Sequence, residues 1–223
     1  MKAVVYVVAC LAVVAVVAAA AVIKFEAQDT DLGDAYKFLQ FLRKPSLPER
    51  YRPDSYFKKL GMNKNNRLQA FVWKSCEPAK DTTFDITQFN ISPDPVSLPG
   101  TIIVRFSINN KAKIYSPFKA AVEIKKKVLS TWIEIPCIEQ FGSCNYDDFC
   151  QILGMITSCP APFTEHSIPC QCPIDVGTFN LPATNFEIDV TLPLESGDYF
   201  AMFNATANAK FSACYEFYFT IID

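Results

Sequence analysis

The chain is poor in the residues that most catalytic and nucleotide-binding sites need. It has one histidine, His166, and only seven glycines in 223 residues. No G-x-S-x-G elbow and no glycine-rich phosphate loop is present, which excludes the common hydrolase and nucleotide-cradling motifs. A basic surplus is missing too: the net charge is -2. Residues 71 to 223 hold ten Lys or Arg against seventeen Asp or Glu, a balance of -7. Phosphate binding needs a basic face, so nucleic acid is excluded as a partner. No repeat of fixed period is visible. His166 sits between cysteines in Pro162–Ser167 and reads as a surface loop residue. Asp147 and Asp148 form a carboxylate pair, but negative charge at a helix start is favoured by the dipole, and that is the simpler reading. No cofactor and no metal is expected, and an enzyme is the last-ranked reading.

What is present points outward from the cytosol. Lys2 is followed by an uncharged apolar run from Ala3 to Ile23. Residues 1–23 read as a signal peptide or a signal anchor; either places the rest of the chain on the oxidising side of a membrane. Beyond Cys10 in this leader, eight cysteines remain, and an even count in an exported chain reads as a disulfide framework. Eight cysteines allow 105 pairings, and sequence alone does not choose among them. Cys170-x-Cys172 lacks zinc-knuckle spacing. Asn90-Ile91-Ser92 and Asn204-Ala205-Thr206 fit the N-glycosylation acceptor.

Residues 24–70 form an N-terminal extension, either a pro-segment or a linker, with ten Lys or Arg against six acids. Leu32, Tyr36, Leu39 and Leu42 predict a helix over 29–44, ended by Pro45. Asp54 to Leu60 predicts one further helical turn, closed by Gly61. Arg43-Lys44 and Lys58-Lys59 are either processing sites or a solvated basic face.

From Phe71 the period changes to two. Ile102, Val104, Phe106 and Ile108 alternate with more polar neighbours, apart from Ile103. Phe118, Ala120, Val122, Ile124 and Val128 share a face. Phe186, Ile188, Val190 and Leu192 alternate with Glu187, Asp189 and Thr191. Phe211, Ala213, Tyr215, Phe217, Phe219 and Ile221 share odd positions. Each run reads as a half-buried antiparallel strand. One short helix is expected at Asp147–Ile156, where Phe149, Ile152, Leu153 and Ile156 fall at helical spacing. The apolar rows meet in a filled sandwich or line a cup; pattern alone leaves both open.

Trp73-Lys74-Ser75-Cys76 and Pro93-Asp94-Pro95-Val96-Ser97-Leu98-Pro99-Gly100 resemble the start of the ganglioside GM2 activator family. The likeness continues through Trp132–Cys137, Gly142-Ser143-Cys144, Asp148-Phe149-Cys150, Ile168–Pro173, Gly177–Pro182, Gly197-Asp198-Tyr199 and Cys214. The resemblance covers residues 71–223. It implies a mainly β fold: an antiparallel eight-stranded β-cup with an apolar lipid cavity, one short helix and four disulfides, behind a helical or irregular extension. It implies the pairs Cys76–Cys214, Cys137–Cys144, Cys150–Cys172 and Cys159–Cys170. The function implied is non-enzymatic: a lipid or glycolipid, sphingolipid or ganglioside-like, is bound and presented to a lysosomal β-hexosaminidase. A secreted structural or recognition module, or a general lipid carrier with no hydrolase partner, is the alternative. The location implied is the secreted space or the lysosomal lumen.

Within that cup, alternation assigns Ile102, Val104, Phe106, Val122, Ile124, Phe186, Ile188, Phe217 and Phe219 to the cavity. The sequence departs from the family at Leu192-Pro193-Leu194-Glu195-Ser196-Gly197, which is short and lacks a tryptophan. The Cys150–Cys159 stretch is also shorter than in the family. Contact with a membrane surface is therefore expected at Val96, Leu98, Leu194, Ile152 and Met155. Because the domain is acidic, its affinity for anionic membranes is expected to rise as carboxylates protonate near pH 4.5.

Overall fold

The computed structural model describes residues 46–60, 68, 70–76, 82–138, 142–188, 196–207 and 211–222. The leader, the expected helix over 29–44, Val190, Leu192, Leu194 and the side chain of Phe211 lie outside the described residues.

The extension contributes a 3-10 turn, Glu49–Tyr51, and helix α1, Asp54–Lys59, which ends at Leu60 as the sequence predicts. Eight strands of four residues or more follow: β1 (Val72–Ser75), β2 (Phe84–Ser92), β4 (Gly100–Asn110), β5 (Phe118–Val128), β6 (Thr131–Glu134), β8 (Gly177–Ile188), β9 (Gly197–Ala207) and β10 (Phe211–Ile222). Two short pairings, β3 (Val96–Ser97) and β7 (Asn145–Tyr146), complete the strands among the described residues. One sheet runs β1-β10-β9-β5-β6, with β3 beside β10 and β7 beside β5; the other runs β2-β4-β8. All pairs between the long strands are antiparallel.

The alternation read from sequence is the physical cause of this layering. Successive side chains on a strand point to opposite faces, so every second residue can be buried at once. On β4 the even positions Ile102 to Ile108 are at most 2% exposed, while Ile103 and Arg105 are exposed. On β5 the even positions and on β9 and β10 the odd ones face the same cluster. Each of these large side chains contributes roughly 1.5–3 kcal/mol by leaving water.

The two strands that flank β4 each carry a bulge. On β2, Ile86 pairs with Ile108 but Gln88 pairs with Ser107, so the inward parity changes from Ile86 to Phe89 and Ile91. On β8, Val104 pairs with Thr184 but Phe106 with Leu181, which leaves one extra residue at Pro182–Ala183. Proline has no N–H for the ladder, and an extra residue there accommodates it. The sequence pattern began this strand at Phe186; the structure begins it at Gly177 and describes it to Ile188. Tyr215 of β10 crosses to the other sheet at the β2 bulge, accepting from the Ile86 N–H and donating to the Phe84 carbonyl, both at 2.9 Å. Trp73 of β1 ties the same edge, its indole N–H donating to the Phe89 carbonyl at 3.0 Å.

The cysteine-rich segment holds two helices rather than the one expected: α2, Phe149–Gly154, and α3, Ala161–Glu165. Asp148 caps α2 by accepting from the Cys150 N–H and also accepts from the Phe118 N–H at 3.0 Å. Its carboxyl is held below the usual range, first by the Ser116 hydroxyl. The five-residue α3 escaped the pattern because it buries a single large side chain, Phe163, too little for a periodic signal. Gly142 has φ of +101° and a Cβ there would meet the Pro136 carbonyl oxygen at 2.1 Å, so the loop closed by Cys137–Cys144 needs glycine.

The disulfides are Cys76–Cys214, Cys137–Cys144, Cys150–Cys172 and Cys159–Cys170, the same four pairs that the resemblance implies. Cys76–Cys214 joins residues 138 apart and fastens the edge strand β1 to β10. A loop of that size restricts the unfolded chain most strongly, by about 5 kcal/mol in the chain-entropy model. Replacing both Cys76 and Cys214 by Ala is expected to lower unfolding stability in urea more than replacing the Cys137–Cys144 pair, which spans seven residues; equal losses would show that loop closure does not set the ranking.

Candidate functional site

Two groupings stand out, one between the sheets and one on the outer face. All nine residues assigned to the lining are brought together in the inter-sheet cluster, each at most 9% exposed. Phe217 meets Phe89 edge-on, and Phe163 of α3 reaches in between Phe106 and Phe186. Phe219 stacks on Tyr199 at 5.6 Å. The sequence pattern did not select Phe89, Ile91, Leu181, Tyr199 or Phe163 for this interior. The bulges hid the first three, and Tyr199 falls in a strand whose inward row includes the small residues Ala201 and Ala205.

The expected membrane rim needs correction. Val96 and Leu98 are 5% and 6% exposed, not on an apolar tip. Val96 pairs with Ile221 of β10, and the Leu98 N–H donates to the Ile222 carbonyl at 3.1 Å, so the Pro-rich turn folds back onto the large sheet. Ile152 is half-buried against the core, whereas Met155 is 59% exposed. Tyr115 and Val176 are also exposed. The Ile114–Ile174 bridge, the Ser116–Asp148 hydrogen bond and Cys150–Cys172 tie their loops to the helix that precedes Met155. Asn90 and Asn204 are both exposed strand residues.

The second grouping lies where the extension meets the large sheet. Thr220 and Asp198 are register partners on its outer face. Glu49 is 3% exposed; its N–H donates to Asp198 Oδ2 at 2.6 Å. Its carboxylate accepts from Lys127 Nζ and from the Leu68 N–H. The Thr220 hydroxyl donates to Asp198 Oδ1 at 2.7 Å. Arg50 pairs with Asp94 at 2.9 Å, and Ser46 donates to the Lys127 carbonyl. Residues 46–60 are thus docked on the domain through buried polar contacts. Desolvation pushes the Asp198 carboxyl up, and the Glu49 N–H and Thr220 hydroxyl bonds oppose it.

No group of three or more His, Cys, Asp or Glu side chains could hold a metal among the described residues. All eight cysteines after Cys10 are in disulfides, so none of them supplies a thiol nucleophile.

The fold and interior define a class: a disulfide-bonded antiparallel β-domain whose two sheets face each other across an apolar interior. A family model described as the ML domain matches residues 70–221. The chain belongs to that family. It is 35% identical over 141 residues to the ganglioside GM2 activator of Mus musculus, covering 60% of this chain and 72% of that protein. To the ganglioside GM2 activator of Macaca fascicularis it is 34% identical over 140 residues, covering 60% and 73%. Among solved structures, a Niemann-Pick type C2 protein from Japanese carpenter ant aligns at 12% identity and a TM-score of 0.35, over 67% of this chain and 98% of that one.

The raised pKa of Asp198 has a definite sign. The native state holds this proton more tightly than the unfolded chain, whose value is about 3.9. The resulting stability is fully present below the unfolded value and is lost as pH rises through the folded one. In Asp198→Asn the amide oxygen can accept from the Glu49 N–H and the amide nitrogen donate to Thr220. The melting temperature of Asp198→Asn minus that of the wild type is expected to be larger at pH 7 than at pH 4.5. A difference independent of pH would show that Asp198 keeps the same proton in both states.

Proposed function

We propose that residues 71–223 bind a lipid or glycolipid of the sphingolipid class in an apolar cavity between the sheets and present it without catalysing its hydrolysis. The observation that carries this reading is the pair of facing apolar rows, on β4 and β8 from one sheet and β5, β9 and β10 from the other, in a chain 35% identical to a protein named ganglioside GM2 activator. Two β-sheets in a small antiparallel fold can splay to admit an acyl chain, because the strands themselves keep their hydrogen bonds while only side-chain contacts between layers change. The partner is a lysosomal glycosidase such as β-hexosaminidase, and the location is the lysosomal lumen or the secreted space. The four disulfides and the exposed sequons Asn90 and Asn204 favour that oxidising route.

Lipid uptake by the delipidated protein tests the reading. A fluorescent glycolipid should be taken up by the wild type, and Phe106→Asp or Ile124→Asp should abolish uptake, because an unpaired charge in an apolar site is costly. Circular dichroism separates lost binding from lost folding. Failure of the folded wild type to take up either glycolipid or phospholipid would favour a filled sandwich with a structural role.

Membrane contact belongs to the exposed apolar side chains Met155, Tyr115 and Val176. Vesicle flotation should show stronger binding to anionic vesicles at pH 4.5 than at pH 7, as protonation of carboxylates weakens repulsion. Met155→Gln should reduce it. Binding that ignores both pH and Met155 would place the contact elsewhere.

A further inference from the structure

The inward row of β4 ends on a residue that does not match it. Ile102, Val104, Phe106 and Ile108 are followed, at the next even position, by Asn110, which is fully buried. Its backbone lies between two strands, paired with Phe84 of β2 and Gly177 of β8. The side-chain amide is oriented by one contact: Nδ2 donates to the Asp175 carbonyl at 2.8 Å. The reverse orientation would set two acceptors against each other, so the amide oxygen is the end that remains. That oxygen, Oδ1, is buried and has no hydrogen-bond partner. A buried acceptor left unpaired costs roughly 1–3 kcal/mol, which an apolar residue at the end of an apolar row would not incur.

We propose that Asn110 Oδ1 accepts a hydrogen bond from a donor in the backbone of the bound lipid, the amide N–H or hydroxyl of a sphingoid base. Asn110 is thereby a specificity-determining residue. The inference rests on the lipid-binding reading above and adds to it the group that distinguishes lipid classes. A diacylglycerol backbone has ester oxygens and offers no donor, so it leaves Oδ1 unpaired. The sugar head is excluded as the source, since a polyhydroxyl group would not enter a fully buried position at the end of an apolar row. A site built to hydrogen-bond a donor rejects the analogue that lacks it, because its own polar group is then left alone. The Asp175 carbonyl, by holding Nδ2, prevents the amide from turning its nitrogen toward an ester.

The test compares fluorescent galactosylceramide with galactosyl diacylglycerol of matched chain length, on the delipidated full secreted chain. The two share a head group and differ in the backbone donor. Wild type should bind the ceramide roughly tenfold more tightly, the factor that corresponds to one such hydrogen bond. Asn110→Leu should bind both equally, with its affinity for the diacylglycerol lipid undiminished; a purely structural role would lower both together. Should Asn110→Leu fail to fold, the wild type decides alone with a galactosylceramide methylated on its amide nitrogen and sphingoid hydroxyl, which should bind no better than the diacylglycerol lipid. Equal binding of the two lipids by the wild type would overturn the proposal and assign Oδ1 to a buried water. Persistence of the preference in Asn110→Leu, or full affinity for the methylated lipid, would overturn it too. Binding of neither lipid would overturn the lipid-binding reading and this inference together, whereas binding of both without preference would remove only this inference.

Discussion

The structure depends on one requirement: the apolar faces of two antiparallel sheets must cover each other. Neither sheet is stable alone with a row such as Ile102-Val104-Phe106 in water, and neither supplies a second layer for itself. The aromatic contacts between layers, Phe89 with Phe217 and Phe163 with Phe106 and Phe186, are where that mutual cover is made. The same requirement leaves the interior as the place where an apolar ligand competes with side-chain packing. An interior held by non-directional contacts can exchange them for contacts with an acyl chain, while the hydrogen-bonded ladders stay intact.

The polar interactions are placed where the layers end. Tyr215 and Trp73 fasten the β1–β10 edge to β2, and Cys76–Cys214 fastens β1 to β10. Asp148 joins the β5 start to α2, and Cys150–Cys172 joins α2 to the approach to β8. These directional bonds fix the perimeter, and the middle is left to apolar contacts. Two polar residues stand in the inward rows: Lys126 on β5, whose Nζ lies over the Tyr199 ring, and Asn110 on β4, whose amide oxygen has no hydrogen-bond partner.

The extension changes the picture of the domain's outer face. Glu49 sits over Lys127, Asp198 and Thr220, from three adjacent strands, and hydrogen bonds link these four residues. A buried carboxylate paired with a buried lysine is a poor source of net stability, because desolvation offsets much of the attraction, but it specifies position well. The family match begins at residue 70, so this docked segment lies outside it.

The amino-acid sequence by itself determined the class of the fold. Period-two alternation within β4, β5 and β10 needs no tertiary information, since a strand's geometry sends alternate residues to opposite faces. The even number of cysteines after Cys10 likewise pointed to a disulfide-bonded domain, and the structure joins all eight. Tertiary structure decided what alternation cannot express. A bulge inserts one residue and reverses the parity of everything beyond it, so Phe89 and Ile91 on β2 and Leu181 on β8 were illegible until their pairing with β4 was known. The Val96–Leu98 turn looked like an exposed tip because its neighbours are prolines, and only its pairing with the end of β10 buries it. Asn110 lies one step beyond the even row read from the sequence, and it becomes an interior acceptor only because two strands and the Asp175 carbonyl enclose it.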